Sequence, residues 1–387
     1  MFDGTNWHDG LDILKMKPEA VCRRCAPLSK ADPACPICQG TTFLVGTPIE
    51  AVARCFDRAY SVYGELTEAQ AEKVETRRTV LLYSLVAYQW YYSEDTLVKK
   101  TLARELPFET ELTNGTTGKP FPDVVVMGKI DNMFRRADKS VCIMEHKSTT
   151  SELEPDSMYW NKLRFDPQTT MYPWALRDMQ AKGELRDFGI KETDAPVATV
   201  IYDVWRKPQI KPKNVPAADT KELLTTGMYC GEHFEVEAGS KADVVCVNGV
   251  TTSFIPNAKG TGGQIRETQA MFGARLLQAI VAEPERYFAR HEISRTTWDL
   301  EEFERDLVNV ARTMRHMISR DSFYHDYTSC DDFGGCDARA ICYNELPVGA
   351  DDVPTGYKCI FSKKGIEDGA TSKSNPPPSI KRTKAQP

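Results

Sequence analysis

Between residues 102 and 147 the chain carries three strand-forming runs in succession, 102–112, 124–134 and 140–147. Turn residues separate them at Asn114-Gly115, at Gly118 and Pro120, and over 137–139. Consecutive strands joined by short turns pair antiparallel, so this segment predicts a β-meander. Helical periodicity precedes it over 47–63 and about 68–92 and follows it over 167–182, and a β-branched run at 196–205 then predicts another strand. A meander bracketed by helices, with a strand returning after a helix, defines an α/β (α+β-like) fold with a central mixed β-sheet flanked by helices.

The rest of the chain divides around this unit. Residues 1–45 hold four cysteines with several prolines and glycines and little apolar periodicity, and are expected to be an irregular, metal-organised segment. Residues 46–345 form the main domain, interrupted at about 214–263 by a weakly patterned insertion with strands near Phe234 and over 244–254. Helices return at about 265–282 and 300–319. Residues 346–387 are a tail, rich in Ser, Pro and Lys and expected to be disordered from about 365.

Composition narrows the class. With 387 residues, 41% hydrophobic and 27% charged, the chain can bury a sizeable core. The most apolar helical run, 80–92, is interrupted by Ser84 and Gln89, and residues 1–10 lack a cationic stretch followed by an apolar one. No membrane span or export signal is therefore expected, and the reading is of an intracellular, cytoplasmic protein. The net charge of −6 argues against non-specific coating of nucleic acid but permits a local basic groove.

The third strand of the meander ends in charge. Alternation puts Val141, Ile143, Glu145 and Lys147 on one face and Cys142, Met144 and His146 on the other. A carboxylate beside an ammonium at the end of an apolar strand can ligate a hard cation while the lysine steadies a water or a phosphate oxygen. Asp131, in the neighbouring strand across a short turn, supplies the second carboxylate that Mg2+ or Mn2+ requires, and waters and a scissile phosphate would complete the shell.

Gly128-x-x-Asp131, Glu145-x-Lys147 and Gln168-x-x-x-Tyr172, in this order, resemble the RecB-like branch of the PD-(D/E)xK nucleases. The resemblance implies a restriction-endonuclease-like core, Mg2+ or Mn2+ as cofactor and DNA as partner, with Gln168 facing the metal site and Tyr172 on the same helical face. Pro122-Asp123 spells the family name literally. Asp131 is nonetheless the expected ligand, because it follows the glycine-containing strand, whereas Pro122 begins a strand and leaves Asp123 as a turn residue. In such nucleases a histidine often stands in a Gly-Thr-x-x-His context on the first core helix. Here Gly46-Thr47-Pro48-Ile49-Glu50 places glutamate there, and Glu50 reads equally as a further Mg2+ or Mn2+ ligand or as a helix N-terminal carboxylate. Glu105 resembles the glutamate of the preceding strand, with a solvated strand residue as the alternative.

Of the twelve cysteines, seven fall into two clusters. Cys22-x2-Cys25-x9-Cys35-x2-Cys38 has the spacing of a tetrahedral four-cysteine zinc site. Cys330-x5-Cys336-x5-Cys342 resembles the C-terminal triad of iron–sulfur nucleases in the RecB-like group, which implies a structural 4Fe-4S cluster with a fourth cysteine from ahead of the first core helix. If all four N-terminal cysteines bind zinc, that ligand is Cys55 or a non-cysteine group, and if one of them serves iron, the zinc site loses a ligand. Zinc completed by His325, or uncoordinated thiols, are the alternatives for the triad. Cys142, Cys230, Cys246 and Cys359 are isolated and read as packing residues.

Arg206, Lys207, Lys211 and Lys213 are interleaved with prolines after the 196–205 strand and are expected to track a phosphate backbone. The resemblance implies a DNA nuclease, an exonuclease on single-stranded DNA or DNA ends, working in recombination, repair or phage DNA processing, with a recombination or replication protein as a further partner. Two other readings stand beside it: a non-catalytic DNA- or protein-binding module on a nuclease fold, and a CRISPR-adaptation-type nuclease.

Overall fold

Three helices precede the sheet: α1 (Phe2–Leu14), α2 (Pro48–Tyr60) and α3 (Glu68–Tyr91). The computed structural model describes residues 2–357, apart from 18, 23, 27, 29, 62–65, 115–116, 240–242, 259–261, 325–326, 331–335 and 350–351. His325, Cys359 and the tail beyond 357 therefore lie outside the described residues, as does the Asp123 side chain.

The expected meander forms. Strands β1 (Lys100–Asn114), β2 (Lys119–Arg135) and β3 (Val141–Thr149) pair antiparallel in sequence order. Helices α4 (Met158–Arg164) and α5 (Pro167–Ala181) then cross over to β4 (Thr199–Arg206), which lies parallel to β3 with Glu145 opposite Tyr202 and Lys147 opposite Val204. The mixed sheet expected from the sequence is thus present, in the order β1-β2-β3-β4-β11, where β11 (Phe288–Ser294) closes the far edge antiparallel to β4. Pro122 falls where the β1–β2 register shifts, between the pairs Glu111–Val125 and Thr113–Pro120, so its missing N–H costs the ladder little.

The insertion is better ordered than its pattern suggests. It contains α6 (Ala217–Thr226), a β5 (Met228–Tyr229) and β6 (Glu232–His233) hairpin, and a four-stranded sheet of β7 (Val236–Ala238), β8 (Val244–Val247), β9 (Val250–Pro256) and β10 (Gly263–Ile265). Its apolar cluster packs on Met271 and Ala274 of α7 (Gln269–Ala282). After β11 comes α8 (Thr297–Arg320).

Two apolar layers cover the two faces of the main sheet. One joins α1, α2, α3 and α7 to Trp205 and Phe288; the other joins α5 and α8 to Met133, Ile143 and Val200. The alternation predicted for β3 holds, since Ile143 belongs to the second layer while Cys142 and Met144 pack on the opposite side. By contact the chain forms two compact units, Met1–His316 and Met317–Pro387; the second contains a short helix, α9 (Arg339–Tyr343).

Residues 1–45 are not simply irregular. Glycines and polar residues obscure α1, a helix that is made by burial: Trp7 and Leu11 are each 1% exposed, and Trp7 stacks on Trp205 at 4.2 Å. A β-carbon at Gly10 would lie 2.5 Å from Leu85, so glycine is what lets α1 approach α3. The cysteine segment after α1 shares this same core.

Candidate active site and metal centre

The β2–β3 ladder stops at the pair Asn132–Met144, and one residue further on the Asp131 carboxylate takes over: its Oδ2 accepts from the His146 amide at 3.0 Å. Glycine at 128 makes this strand end possible, because a β-carbon there would meet the Phe108 ring at 2.5 Å. Glu145 projects from β3 beside Asp131 and is 3% exposed. Its Oε1 lies 2.9 Å from Lys147 Nζ, while Oε2 has no hydrogen-bond partner among the described residues. Burial, reinforced by the Asp131 charge, pushes the Glu145 carboxyl up to about 7 despite Lys147.

Lys147 donates to Gln168 Oε1, and Gln168 Nε2 donates to the Tyr172 hydroxyl at 2.5 Å. This chain depends on the start of α5, where the N-cap residue Asp166 accepts the Gln168 amide at 2.9 Å and so fixes the first turn. Gln168 and Tyr172, four residues apart, then lie on one face. Tyr172 is 3% exposed, and burial followed by the Glu145 charge raises its hydroxyl well above the ordinary range. Of the five residues expected at the catalytic centre, Glu145, Lys147, Gln168 and Tyr172 form one chain of contacts, and Asp131 adjoins it closely enough for its charge to act on Glu145.

A sixth group escaped the sequence reading. His8 of α1 places Nδ1 3.3 Å from Asp131 Oδ2. Burial opposes charge on both groups, but their mutual hydrogen bond and attraction win, holding the Asp131 carboxyl below and the His8 imidazole above their usual values. The available signal was the spacing of Trp7, Leu11 and Leu14, which marks one apolar helical face at residues where no helix was expected.

Glu50 has a local task. Its Oε2 accepts the Thr47 amide at 2.8 Å while Thr47 Oγ1 accepts the Glu50 amide at 3.4 Å, a capping box that starts α2. Gly46, at φ +73°, leaves room for the returning carboxylate, since a β-carbon would sit 2.3 Å from Glu50 Oε2. The helix-terminus reading of Glu50 is the one this geometry displays. Glu105 is engaged by the Lys129 ammonium.

Behind the site, on the opposite face of β3, lies a buried polar knot. His146 Nδ1 is 2.8 Å from Asp203 Oδ2, Tyr88 donates to the same oxygen at 2.5 Å, and Arg290 Nε donates to Asp203 Oδ1 at 2.9 Å. Lys15, the residue after α1, contacts His146 Nε2 at 3.1 Å. Burial, with help from the Lys15 charge, pushes His146 down to about 4, so the imidazole is neutral and bridges Lys15 to Asp203. Helix α1 and the residue that follows it thus touch both sides of the strand end.

Two sets of residues suit metals. Asp131 and Glu145 offer hard oxygen donors, and a buried carboxylate raised by the charge of a second one is a position whose ionised form a divalent cation would stabilise. Cys22, Cys25, Cys35 and Cys38 are all buried with their sulfurs within 4.8 Å of one another, the pairs Cys22–Cys35 and Cys25–Cys38 being 3.7 and 3.5 Å apart. A tetrahedron with Zn–S bonds of about 2.3 Å needs sulfurs about 3.8 Å apart, so the set fits one shared ion.

In the second unit Cys330 is half-buried and Cys336 and Cys342 are exposed; the Cys336 amide donates to Cys330 O at 2.9 Å, and Cys342 lies on α9. Of the basic stretch, Arg206 pairs with Glu152 at 2.9 Å, while Lys211 and Lys213 are exposed. The Lys207 amide donates to Thr149 O, the Lys213 amide to the Glu267 carboxylate and the Glu267 amide to Lys213 O, which hold it extended. It leaves β4 at the end of the sheet where the parallel β3 presents Lys147.

A mixed sheet that delivers two carboxylates and a lysine from adjacent strands to one pocket, faced by a glutamine from the following helix, defines a metal-dependent nuclease core. The sequence model of the PD-(D/E)XK nuclease superfamily matches residues 47–343, and the chain belongs to that superfamily. The match begins at Thr47, after α1 with His8 and after the four-cysteine segment. No curated protein matches the chain. Among the described residues no helix is long and apolar enough to cross a membrane.

Proposed function

We propose that the chain is a DNA exonuclease of the RecB-like kind, acting on single-stranded DNA or DNA ends in recombination, repair or phage DNA processing. The observation that carries the reading is the buried Glu145 carboxylate beside Asp131, raised to about 7 by burial and the Asp131 charge, with Lys147 on its Oε1. Asp131 and Glu145 would hold Mg2+ or Mn2+, which when bound supplies Lewis-acid stabilisation of phosphate charge and activation of a water. His8 orients Asp131. Lys147 presents its ammonium to the phosphate or the attacking water, aimed by Gln168, whose amide is in turn set by the Tyr172 hydroxyl. Lys207, Lys211 and Lys213 are the proposed backbone contacts; Arg206, paired with Glu152, contributes less.

Zinc at Cys22, Cys25, Cys35 and Cys38 anchors the segment that carries α1. A 4Fe-4S cluster at Cys330, Cys336 and Cys342 rests on their spacing. Incubation with Mn2+ and matched linear and circular single-stranded DNA tests the activity. Mononucleotide release from linear molecules with circles left intact supports an exonuclease; nicked circles refute it, and no cleavage of either refutes a nuclease.

A further inference from the structure

Strand β11 ends the sheet, and among the described residues no strand lies beyond it. Arg206 N donates to Tyr287 O and Arg295 N to Ala198 O, which fixes the odd-numbered residues as those bonded to β4. Antiparallel pairs alternate, so the N–H and C=O groups of Phe288, Arg290, Glu292 and Ser294 point away from the sheet along its outer edge. Such an edge is a template for another strand.

Its surroundings are shaped as a slot. A recess of about 850 Å³ takes in both faces of the strand, with Phe288, Arg290, Tyr91 and Tyr92 on one side and Ala289 and Trp160 on the other. A second recess, of about 870 Å³, continues along residues 291–296 towards Phe165 and Trp298, which are 83% and 60% exposed. The lining is acidic: each recess carries four carboxylates against two guanidinium groups. Although Glu152, Glu283 and Glu292 are paired with Arg206, Arg286 and Arg136, Glu154 and Glu285 in the first and Asp299, Glu302 and Asp306 in the second carry the excess. Some of those cations are turned inward, Arg290 to Asp203 and Asp95, Arg295 to Thr169 and Thr170.

We propose that β11 is a docking edge for an extended, basic segment of a partner protein, which adds a strand to the sheet and seats alternate apolar side chains against the aromatic groups of the slot. The charge selects the occupant. A nucleic acid strand would be repelled, and β11 pairing with β11 of a second copy would bring two acidic rims together. The slot uses none of the residues assigned to cleavage.

The test uses the full chain and a fluorescein-labelled peptide of alternating lysine and valine. Its N-methylated counterpart keeps every charge and side chain but lacks amide donors. Two variants accompany it: Glu292→Pro, which removes an outward N–H without breaking the β4 ladder, and Glu285→Lys, which reverses a rim charge. The expected result is saturable binding weakened at least about tenfold by N-methylation and by each variant, with metal-dependent cleavage unchanged. Equal binding of the methylated peptide, or undiminished binding by both variants, overturns the proposal. So does tighter binding of single-stranded DNA at the slot, or self-association abolished by Glu292→Pro.

Discussion

His8 Nδ1 stands 3.3 Å from Asp131 Oδ2, so a helix that precedes the residues matched to the superfamily steadies a carboxylate within them. Outer groups that orient a metal ligand typically change affinity or activity by roughly 10–100-fold when lost. His8→Ala should therefore raise the Mn2+ concentration for half-maximal cleavage, or lower turnover, by that order while the far-ultraviolet circular dichroism stays the same. An unaltered Mn2+ titration would show that the contact is incidental.

Glu145 carries a cost that a cation removes. Its folded pKa of about 7 lies above the unfolded value, so its contribution is favourable below about pH 4.5 and is lost as pH rises towards 7, on the order of 3 kcal/mol. Glu145→Gln should raise the metal-free melting temperature at pH 8, and Mn2+ should stabilise the parent more than the variant. Calorimetry in chelator and in Mn2+ checks both, and a destabilised metal-free variant would contradict the assignment.

His146 works in the opposite sense. Its folded pKa of about 4 lies below the unfolded value, so stability from keeping it neutral is complete above about pH 6.5 and falls away towards pH 4, again on the order of 3 kcal/mol. The two windows overlap and offset each other in the parent. Between pH 4.5 and 6.5, Glu145→Gln should gain stability with rising pH and His146→Gln should lose it; denaturant titrations at several pH values read the two slopes. Parallel slopes would mean that neither group titrates as its surroundings dictate.

Metal content separates the two cysteine sets. Anaerobically purified protein should contain zinc that is lost in Cys38→Ser, together with iron, sulfide and brown colour that are lost in Cys336→Ser. Colourless protein containing zinc alone would remove the cluster from the C-terminal triad and leave the four-cysteine site standing.

Much of this was legible because it is local. The alternation of Val141, Ile143, Glu145 and Lys147 gave a strand and its charged end, and the fourfold spacing of Gln168 and Tyr172 gave their common face. What stayed hidden is held by distant contacts. Helix α1 has glycine at 4 and 10 and no regular pattern strong enough to declare it, and it folds because Trp7 and Leu11 find Trp205 and Leu85. Without α1, neither His8 nor Lys15 could be placed. Strand β11 was missed for a related reason: Arg290 interrupts its alternation with a charge whose partners, Asp203 and Asp95, lie far away in sequence. At Glu50, a helix-capping residue and a metal ligand look alike until the Thr47 contact is seen.

The central claim is that Asp131, Glu145 and Lys147 form one catalytic pocket, and Lys147→Ala tests it most directly. Single-turnover cleavage of end-labelled single-stranded DNA in Mn2+ should fall by roughly 10²–10⁴-fold in the variant, while DNA affinity measured in Ca2+ stays within a few-fold of the parent. Cleavage by the variant at the parent's rate would contradict the account.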